Sequence, residues 1–259
     1  MRISFIGSGR VAHHFAKQLS KQHQIVQIYS RDLTHAQKLA EQCHAQAIQN
    51  YSQFDHNIDL LMIAISDQAI AEVIVNMGRY FENVLIVHTS GSTHLNVLSQ
   101  QHARSGVFYP LQTFSLERDI DWSNTPLFVE ATQVDDLQIL VALANSLSNR
   151  VYTYDSAQRL SLHLAAVFAC NFSNYCYDMA KQVVDAEQVD FSLLYPLILE
   201  TANKATLNNP KTMQTGPAMR GDQNILNMHM KMLAEAGRGD LKQVYEILSQ
   251  GIQTRQSSQ

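Results

Sequence analysis

The sequence predicts an α/β protein in which a parallel β-sheet with helices on both faces is followed by an all-α domain. Short apolar runs alternate with helical patterns as far as residue 155, and runs such as residues 60–65 are apolar throughout. Strands that are covered on both faces have this composition. After residue 155 only helical patterns follow. We therefore expect two domains, at residues 1–155 and 156–259.

Strands and helices alternate along the first domain. We expect strands at residues 2–6, 25–29, 60–65, 84–88, 106–109, 127–130 and 150–153. We expect one helix that ends at Leu19 and three more at residues 34–42, 68–77 and 134–147. Because strands in this order are joined by helices, the sheet should be parallel.

The second domain is expected to consist of helices at residues 157–181, 191–207, 222–236 and 240–252, with a disordered tail at 253–259. The first helix is apolar on nearly every side between Leu164 and Cys170. Such a helix belongs at the centre of a bundle or at a subunit interface. Because three shorter helices cannot easily cover it, we predict a homodimer joined through residues 156–259.

The composition excludes several classes of protein. With a net charge of −4 at pH 7, the chain lacks the basic surface of a general nucleic-acid-binding protein. No apolar run approaches the roughly 18 residues of a membrane span, and Gly7 comes too early for a signal peptide. We therefore expect a cytoplasmic protein without a nucleic-acid or membrane partner.

Neither the cysteines nor the histidines indicate a disulfide or metal site. The three cysteines are too few and too scattered for a disulfide framework. His13 and His14 point about 100° apart on a helix, which makes them a poor chelating pair. The sequence contains neither His-x-Glu nor Cys-x-x-Cys, the spacings typical of zinc sites. We therefore expect no metal.

A glycine-rich turn after the first strand has the pattern Gly-x-Gly-x-x-Ala, formed by Gly7, Gly9 and Ala12. Gly7 permits the tight turn, Gly9 lets a pyrophosphate approach the backbone, and Ala12 lets the next helix pack on the strand. The helix N-terminus offers unpaired N–H groups to the phosphates. This pattern predicts a Rossmann domain that binds a dinucleotide. The expected contacts are Gly7, Ser8, Gly9, Arg10 and Val11.

The end of the second strand, Tyr29-Ser30-Arg31, indicates which nicotinamide cofactor binds. NAD sites place an acid there, which accepts hydrogen bonds from the ribose. A serine hydroxyl and a guanidinium instead suit the 2′-phosphate of NADP, which arginine can bind with two hydrogen bonds. We therefore predict that Ser30 and Arg31 bind NADP. The alternative is that Asp32, one position later, binds the ribose and favours NAD.

Polar residues follow two of the buried strands, at the edge where parallel sheets bind ligands. Ser66 and Asp67 come after the third expected strand, and we expect Ser66 to line the pocket of the nicotinamide ribose. After the fourth, His88, Thr89 and Ser90 can hydrogen-bond the nicotinamide or the substrate. The plainer alternatives are a helix cap for Ser66 and a core position for His88.

These residues, together with later motifs, resemble a known family. The chain looks like the Rossmann-like proteins with a DUF2520 C-terminal domain, which are described as NADP oxidoreductases and are related to pyrroline-5-carboxylate reductase and the β-hydroxyacid dehydrogenases. The resemblance covers nearly the whole chain and is more specific for the fold than for a reaction. It rests on Gly7-Ser8-Gly9-Arg10-Val11-Ala12, Ile65-Ser66-Asp67, His88-Thr89-Ser90-Gly91-Ser92, Tyr109-Pro110-Leu111-Gln112-Thr113-Phe114, His163-Leu164-Ala165-Ala166-Val167-Phe168-Ala169-Cys170-Asn171 and Thr215-Gly216-Pro217-Ala218-Met219-Arg220-Gly221-Asp222.

On the long helix, His163, Asn171 and Asn174 interrupt an apolar pattern. The related β-hydroxyacid dehydrogenases use a Lys-x-x-x-Asn pair there, but Val167 and Cys170 stand four residues before the two asparagines. Their lysine mechanism therefore does not carry over. Because imidazole titrates near neutrality, we predict that His163 donates the proton, with Asn171 as a second catalytic residue. The alternative is that both bridge helices or subunits.

A constrained polar loop at Thr215–Asp222 is the expected substrate gate. We predict that Arg220 binds a substrate carboxylate and that Asp222 orients Arg220 or caps the next helix. The alternative is a structural loop that ends in an aspartate cap.

Together these residues predict an NADP(H)-dependent reductase of a small carbonyl or imine compound, with His163, Asn171 and Arg220 as catalytic residues. Two alternatives stay open. One is a noncatalytic NADP-binding regulator or assembly protein, which the missing Lys-x-x-x-Asn pair favours. The other is an NAD-linked dehydrogenase.

Overall fold

A computed structural model describes residues 1–257 of the chain. The chain divides into two compact units, Met1–Cys170 and Asn171–Gln259. The predicted domain boundary at residue 155 follows the last strand, whereas the first compact unit continues to Cys170, because the helix after that strand packs on the sheet through Leu162. Within the described residues, no helix is long and apolar enough to cross a membrane.

The first unit contains an eight-stranded sheet. Its strands are β1 (Arg2–Ile6), β2 (Gln24–Tyr29), β3 (Gln46–Ile48), β4 (Leu60–Ile63), β5 (Leu85–His88), β6 (Ser105–Pro110), β7 (Leu127–Ala131) and β8 (Val151–Thr153). They lie in the order β3-β2-β1-β4-β5-β6-β7-β8, and all neighbours are parallel except β6 and β7. The strand order reverses between β1 and β4, which is where doubly wound sheets of this kind bind ligands.

Helices cover both faces of the sheet. They are α1 (Arg10–Leu19), α2 (Leu33–Cys43), α3 (Asp67–Met77), α4 (Asn96–Ser99) and α5 (Val134–Asn145). One core contains Phe15 and Phe108, and the other contains Ile70 and Phe81. Strands β4, β5 and β6 are buried at every position, as expected for strands between two helical layers. The sheet is therefore a firm platform for the residues at its carboxyl edge.

The observed sheet differs from the expected one in two respects. β6 and β7 are antiparallel, because residues 111–126 join them without the crossover helix that a parallel pair requires. β3 is absent from the expected strands, since its three residues are too few to produce a recognisable pattern.

Helices make up the rest of the chain. They are α6 (Ser156–Ala166), α7 (Ser173–Ala186), α8 (Tyr195–Leu207), α9 (Pro217–Arg220), α10 (Gln223–Glu235) and α11 (Gly239–Ser257). The predicted long helix is confirmed, with a π-helical segment at Val167–Phe172 between α6 and α7. The prediction of a disordered tail is wrong as far as Ser257, because good helix formers such as glutamine and arginine extend α11. Residues 258–259 lie outside the described part.

The second unit buries little apolar surface within one chain. Among its described residues, the buried apolar ones are Ala218, Leu226 and Leu241. On α8, Leu197 and Leu199 are 63% and 64% exposed. Residues that are two positions apart on a helix, such as Leu197 and Leu199, point about 200° apart around its axis. Helix α8 therefore exposes apolar side chains on nearly opposite sides. Apolar exposure of this extent is typical of a surface that another chain covers.

Candidate active site

A cleft of about 860 Å³ opens in the first unit at the carboxyl edge of the sheet, where the strand order reverses. It contains the predicted cofactor residues Gly7, Ser8, Gly9, Arg10, Val11, Ser30, Arg31 and Ser66, together with His163. The other lining residues are Ile6, Tyr29, Tyr51, Ala64, Ile65, Asp67, Ala69, Glu72, Val73, Thr89, Ser90, Gly91 and Tyr109. The predicted cofactor residue His88 does not belong to the lining.

The turn between β1 and α1 is shaped by its two glycines. Gly7 has a φ of +115°, and a Cβ there would lie 2.2 Å from the carbonyl oxygen of Ala64, so only glycine fits. A Cβ on Gly9 would meet nothing within 4 Å, which leaves open space beside the backbone. No side chain caps the N-terminus of α1, and its first turn carries no acid. Its N–H groups are therefore available to an anion.

The end of β2 separates the two cofactor alternatives. Arg31 is exposed and lines the cleft beside Ser30. Asp32 does not line the cleft, and its carboxylate caps α2 by accepting a hydrogen bond from the Thr34 N–H at 2.9 Å. This bond lowers the pKa of the Asp32 carboxyl. The acid that would favour NAD is thus engaged at a helix end.

Two tyrosines that the sequence pattern does not single out lie beside this corner. The rings of Tyr29 and Tyr51 are 4.6 Å apart and inclined by 31°, and both line the cleft. Burial and the hydrogen bond with Tyr29 raise the pKa of Tyr51. The pair forms a flat aromatic wall that a planar base can pack against.

The loops after β4 and β5 are joined by hydroxyl groups. Ser66 stands at the N-cap position of α3, but its side chain makes no capping hydrogen bond, so its hydroxyl remains available in the cleft. The Ser92 hydroxyl donates to the Asp67 carboxylate. Ser90 Oγ accepts from the backbone N–H groups of Ser92 and Thr93, at 3.1 and 2.9 Å. These bonds hold the loop after β5 in one shape.

His88 supports this loop from below. It is fully buried in β5, and its Nδ1 accepts a hydrogen bond from the Ser90 N–H at 3.2 Å. Burial, with a contribution from the charge of Arg159, lowers the pKa of His88 to about 3, so the imidazole is uncharged. Its Nε2 has no hydrogen-bond partner among the described residues. The structure matches the core alternative for His88 rather than a position facing a ligand.

His163 reaches the cleft from α6. The Tyr109 hydroxyl and Nδ1 of His163 are 3.3 Å apart, which makes a hydrogen bond. Tyr109 belongs to β6 and is 8% exposed, and burial raises the pKa of its phenol to about 12. A Cβ on Gly91 would lie 2.7 Å from both His163 Nδ1 and Tyr109 Cζ, so the backbone of the loop lies directly against the pair.

A buried ion pair fixes α6 in place. Arg159, one turn before His163, is 1% exposed, and its guanidinium donates to the Glu130 carboxylate at 2.5 Å and to the Thr93 carbonyl at 2.6 Å. The Ser156 hydroxyl also donates to Glu130, at 2.8 Å. Arg159 therefore ties α6 to β7 and to the loop after β5.

The other predicted catalytic residues belong to the second unit. Asn171 is exposed in the π-helical segment, and Arg220 is exposed at the end of α9. Asp222 caps α10 by accepting a hydrogen bond from the Ile225 N–H at 3.3 Å, as the structural alternative for this loop expects. The structure thus brings His163 together with the predicted cofactor residues, while the roles of Asn171 and Arg220 stay predictions.

Two family models match the chain. Residues 125–252 match the domain of unknown function DUF2520, and residues 2–91 match a family described as NADP oxidoreductase, coenzyme F420-dependent. No curated protein matches the chain significantly.

Solved structures resemble the chain over its full length. The chain is 40% identical to the "putative NADP oxidoreductase BF3122 from Bacteroides fragilis", with a TM-score of 0.91 and 98% of each chain covered. The imine reductase from Myxococcus stipitatus in complex with NADP+ is 12% identical, with a TM-score of 0.73 over 100% of this chain and 95% of that one. A pyrroline-5-carboxylate reductase from Coxiella burnetii is 14% identical, with a TM-score of 0.57 over 99% and 97%. The last two likenesses concern the fold alone.

Proposed function

The chain belongs to the DUF2520 family of NADP-oxidoreductase-like proteins, and we propose that it is an NADP(H)-dependent reductase of a small carbonyl or imine compound. The observation that carries the proposal is that one cleft contains both the dinucleotide turn and the His163–Tyr109 pair. A reductase of this type needs a cofactor site and a proton source side by side.

The first unit fits NADP in three respects. The open space at Gly9 and the uncapped N-terminus of α1 suit the pyrophosphate. Ser30 and Arg31 suit the 2′-phosphate, whereas the Asp32 carboxylate is engaged as a helix cap. Tyr51 offers an aromatic face to the adenine. The NADP+ bound in the imine reductase of similar fold supports the same assignment.

The chain's own residues supply position and a proton. When bound, NADPH supplies the hydride. Ser66, whose side chain makes no capping hydrogen bond, would hydrogen-bond the nicotinamide ribose. The loop that Ser90 and Asp67 brace would form a wall of the substrate site. His163 is the source of the proton for the heteroatom that gains charge, because its imidazole lines the cleft and is hydrogen-bonded to Tyr109.

Asn171 and Arg220 are proposed as substrate residues on their chemistry. A guanidinium binds a carboxylate with two hydrogen bonds, and a carboxamide can orient a carbonyl or imine. Arg220 is exposed at the end of α9, between Gly216 and Gly221. Both glycines have a positive φ, which a residue with a side chain would adopt only with strain, so this segment has a defined shape.

A second function has one observation in its favour. The related β-hydroxyacid dehydrogenases use a lysine four residues before an asparagine, and here Val167 and Cys170 hold those positions. A noncatalytic NADP-binding regulator or assembly protein would not need that lysine.

The cytoplasmic location of the protein also stays a prediction.

A screen separates the two functions. The purified chain is incubated with NADPH and a panel of small oxo-acids and cyclic imines, and the loss of NADPH absorbance is followed. We expect at least one compound to be reduced. Tight NADPH binding without reduction of any compound would favour the regulator.

We further propose a homodimer joined through residues 156–259. The exposed apolar side chains Leu197, Leu199, Met232 and Ile247 support it, because they are more than half exposed in a single chain. Light scattering at micromolar concentration should give twice the 29.2 kDa of one chain. A monomeric mass would contradict the proposal.

A further inference from the structure

We propose that Tyr109 hands the proton to the substrate and that His163 resupplies it, so that the two side chains form a relay. The inference rests on the reductase function proposed above and adds the route that the proton takes. It starts from the hydrogen bond of 3.3 Å between the Tyr109 hydroxyl and His163 Nδ1, inside the cleft that contains the dinucleotide turn.

Tyr109 is the more firmly held member of the pair. It lies on β6, which is buried along its length and is paired on both sides, with β5 and β7. Its ring packs near Phe128, with 6.2 Å between the ring centroids. A donor must sit within hydrogen-bond reach of the reacting atom, so a fixed phenol suits final delivery better than a side chain on a helix surface.

The surroundings of the Tyr109 phenol mean that a proton given to the substrate must be replaced. Burial raises the pKa of Tyr109 to about 12, with the charge of Arg159 opposing this and that of Asp67 adding to it. The phenol therefore carries its proton at neutral pH, but a phenolate in that position would be costly. His163, whose Nδ1 is hydrogen-bonded to the phenol, is the group placed to replace the proton that Tyr109 gives up.

The relay balances in atoms and electrons. The substrate carbon takes the hydride, and the π electrons of the C=N or C=O bond move to the heteroatom. The heteroatom takes the hydroxyl proton of Tyr109, while the phenol oxygen takes the Nδ1 proton of the His163 imidazolium. Tyr109 ends as a neutral phenol, and His163 ends as the neutral Nε2–H imidazole whose Nδ1 accepts from Tyr109. Once product has left, a hydronium ion from solvent gives its proton to the phenol oxygen of Tyr109 while the phenol gives its own proton to His163 Nδ1, which restores the imidazolium.

Gly91 offers a way to separate the pair without removing either group. A Cβ there would stand 2.7 Å from His163 Nδ1 and 2.7 Å from Tyr109 Cζ, which is closer than real Cβ contacts come. The methyl group of Gly91→Ala would therefore push the imidazole or the phenol away. The relay then fails although both residues are present.

The first test needs no turnover. Long-range nitrogen NMR of the full chain at alkaline pH reads which His163 nitrogen carries the proton and whether the other accepts a hydrogen bond. We expect the Nε2–H form with a hydrogen-bonded Nδ1. Tyr109→Phe should shift the Nδ1 resonance, whereas Tyr154→Phe, the same change in the same aromatic cluster, should not. An unchanged Nδ1 resonance in Tyr109→Phe would overturn the pairing.

The second test is kinetic, with NADPH and either 2-methyl-1-pyrroline or pyruvate as probe substrate. Tyr109→Phe should lower kcat by about 10²–10⁴-fold, the range for a lost general acid, with the Kd of NADPH unchanged. Added imidazole should partly restore His163→Ala but not Tyr109→Phe, and Gly91→Ala should lose kcat as well. A Tyr109→Phe chain with wild-type kcat would make His163 the direct donor. If the wild-type chain reduces neither probe nor any compound of the screen, both the reductase function and the relay are overturned. The NMR result then still decides whether the hydrogen-bonded pair of Tyr109 and His163 exists.

Discussion

The two compact units of the chain differ in how they bury their apolar residues. In the first unit, β4, β5 and β6 are buried throughout, and helices cover both faces of the sheet. In the second, only three apolar residues among those described are buried, and large apolar side chains such as Leu197 and Ile247 are more than 60% exposed. The first unit therefore holds its cleft in shape with its own residues, whereas the helices of the second expose the surface that an assembly would cover. The predicted cofactor residues thus lie in one unit, and the exposed apolar side chains of Leu197 and Ile247 lie in the other.

The largest effect is expected in the cleft of the first unit. His163→Ala should lower kcat by about 10²–10⁴-fold, because the developing charge on the substrate loses its proton source. The Kd of NADPH should hardly change, since the proposed nucleotide contacts lie on the loops after β1, β2 and β4 and do not include His163. Steady-state kinetics and calorimetry measure the two quantities. His13→Ala, on α1 outside the cleft lining, is the matched control. Full activity of His163→Ala would remove this residue from the mechanism.

The buried Arg159–Glu130 ion pair of the first unit should contribute more to stability than the exposed Lys181–Asp185 pair of the second. Arg159→Met should lower the free energy of unfolding by about 3–5 kcal/mol, because it leaves the Glu130 carboxylate without its buried partner. Lys181→Met should leave it nearly unchanged, because the Lys181–Asp185 pair on α7 is half exposed. Urea unfolding of both variants checks the difference. Equal losses of unfolding free energy in the two variants would mean that burial does not determine how much an ion pair contributes to the stability of this chain.

Dimer formation should respond to changes within residues 156–259 and not to changes in the rest of the first unit. Leu197→Glu should weaken the dimer by about 1.5–3 kcal/mol, the value of burying one large apolar side chain. Val75→Glu is the control, because Val75 is 57% exposed on α3 of the first unit. Sedimentation equilibrium gives the dissociation constants. A dimer that Val75→Glu weakens and Leu197→Glu does not would place the interface on the first unit.

The fold of the first unit could be predicted because its signals are local. Buried strands are continuous apolar runs, and Gly7 follows one of them at once. The direction of β7 was predicted wrongly, because a strand run has the same pattern in either direction and only the connection decides. The exposed faces of the second unit are apolar in the sequence, but which surface covers them depends on contacts that a single chain does not contain.

The candidate site could be predicted where its residues are neighbours in sequence. Ser30 and Arg31 follow a strand directly, and the structure places both in the cleft. The partner of His163 could not be found in this way, because Tyr109 lies 54 residues earlier and approaches only through the sheet. Tyr51 lies in a short 3₁₀ helix without a pattern of its own. The one available signal for Tyr109 was its place in the Tyr109–Phe114 motif.

Calorimetric titration with NADPH and NADH tests most directly whether the cleft of the first unit is built for a 2′-phosphate. We predict tighter binding of NADPH by the wild-type chain. Arg31→Ala should weaken NADPH by about 1–3 kcal/mol, the value of a charged hydrogen bond, and should leave NADH nearly unchanged. Lys38→Ala, an exposed cation on α2 outside the cleft lining, should change neither. Equal affinities, or a preference for NADH, would contradict the assignment and show that Asp32 governs the cofactor.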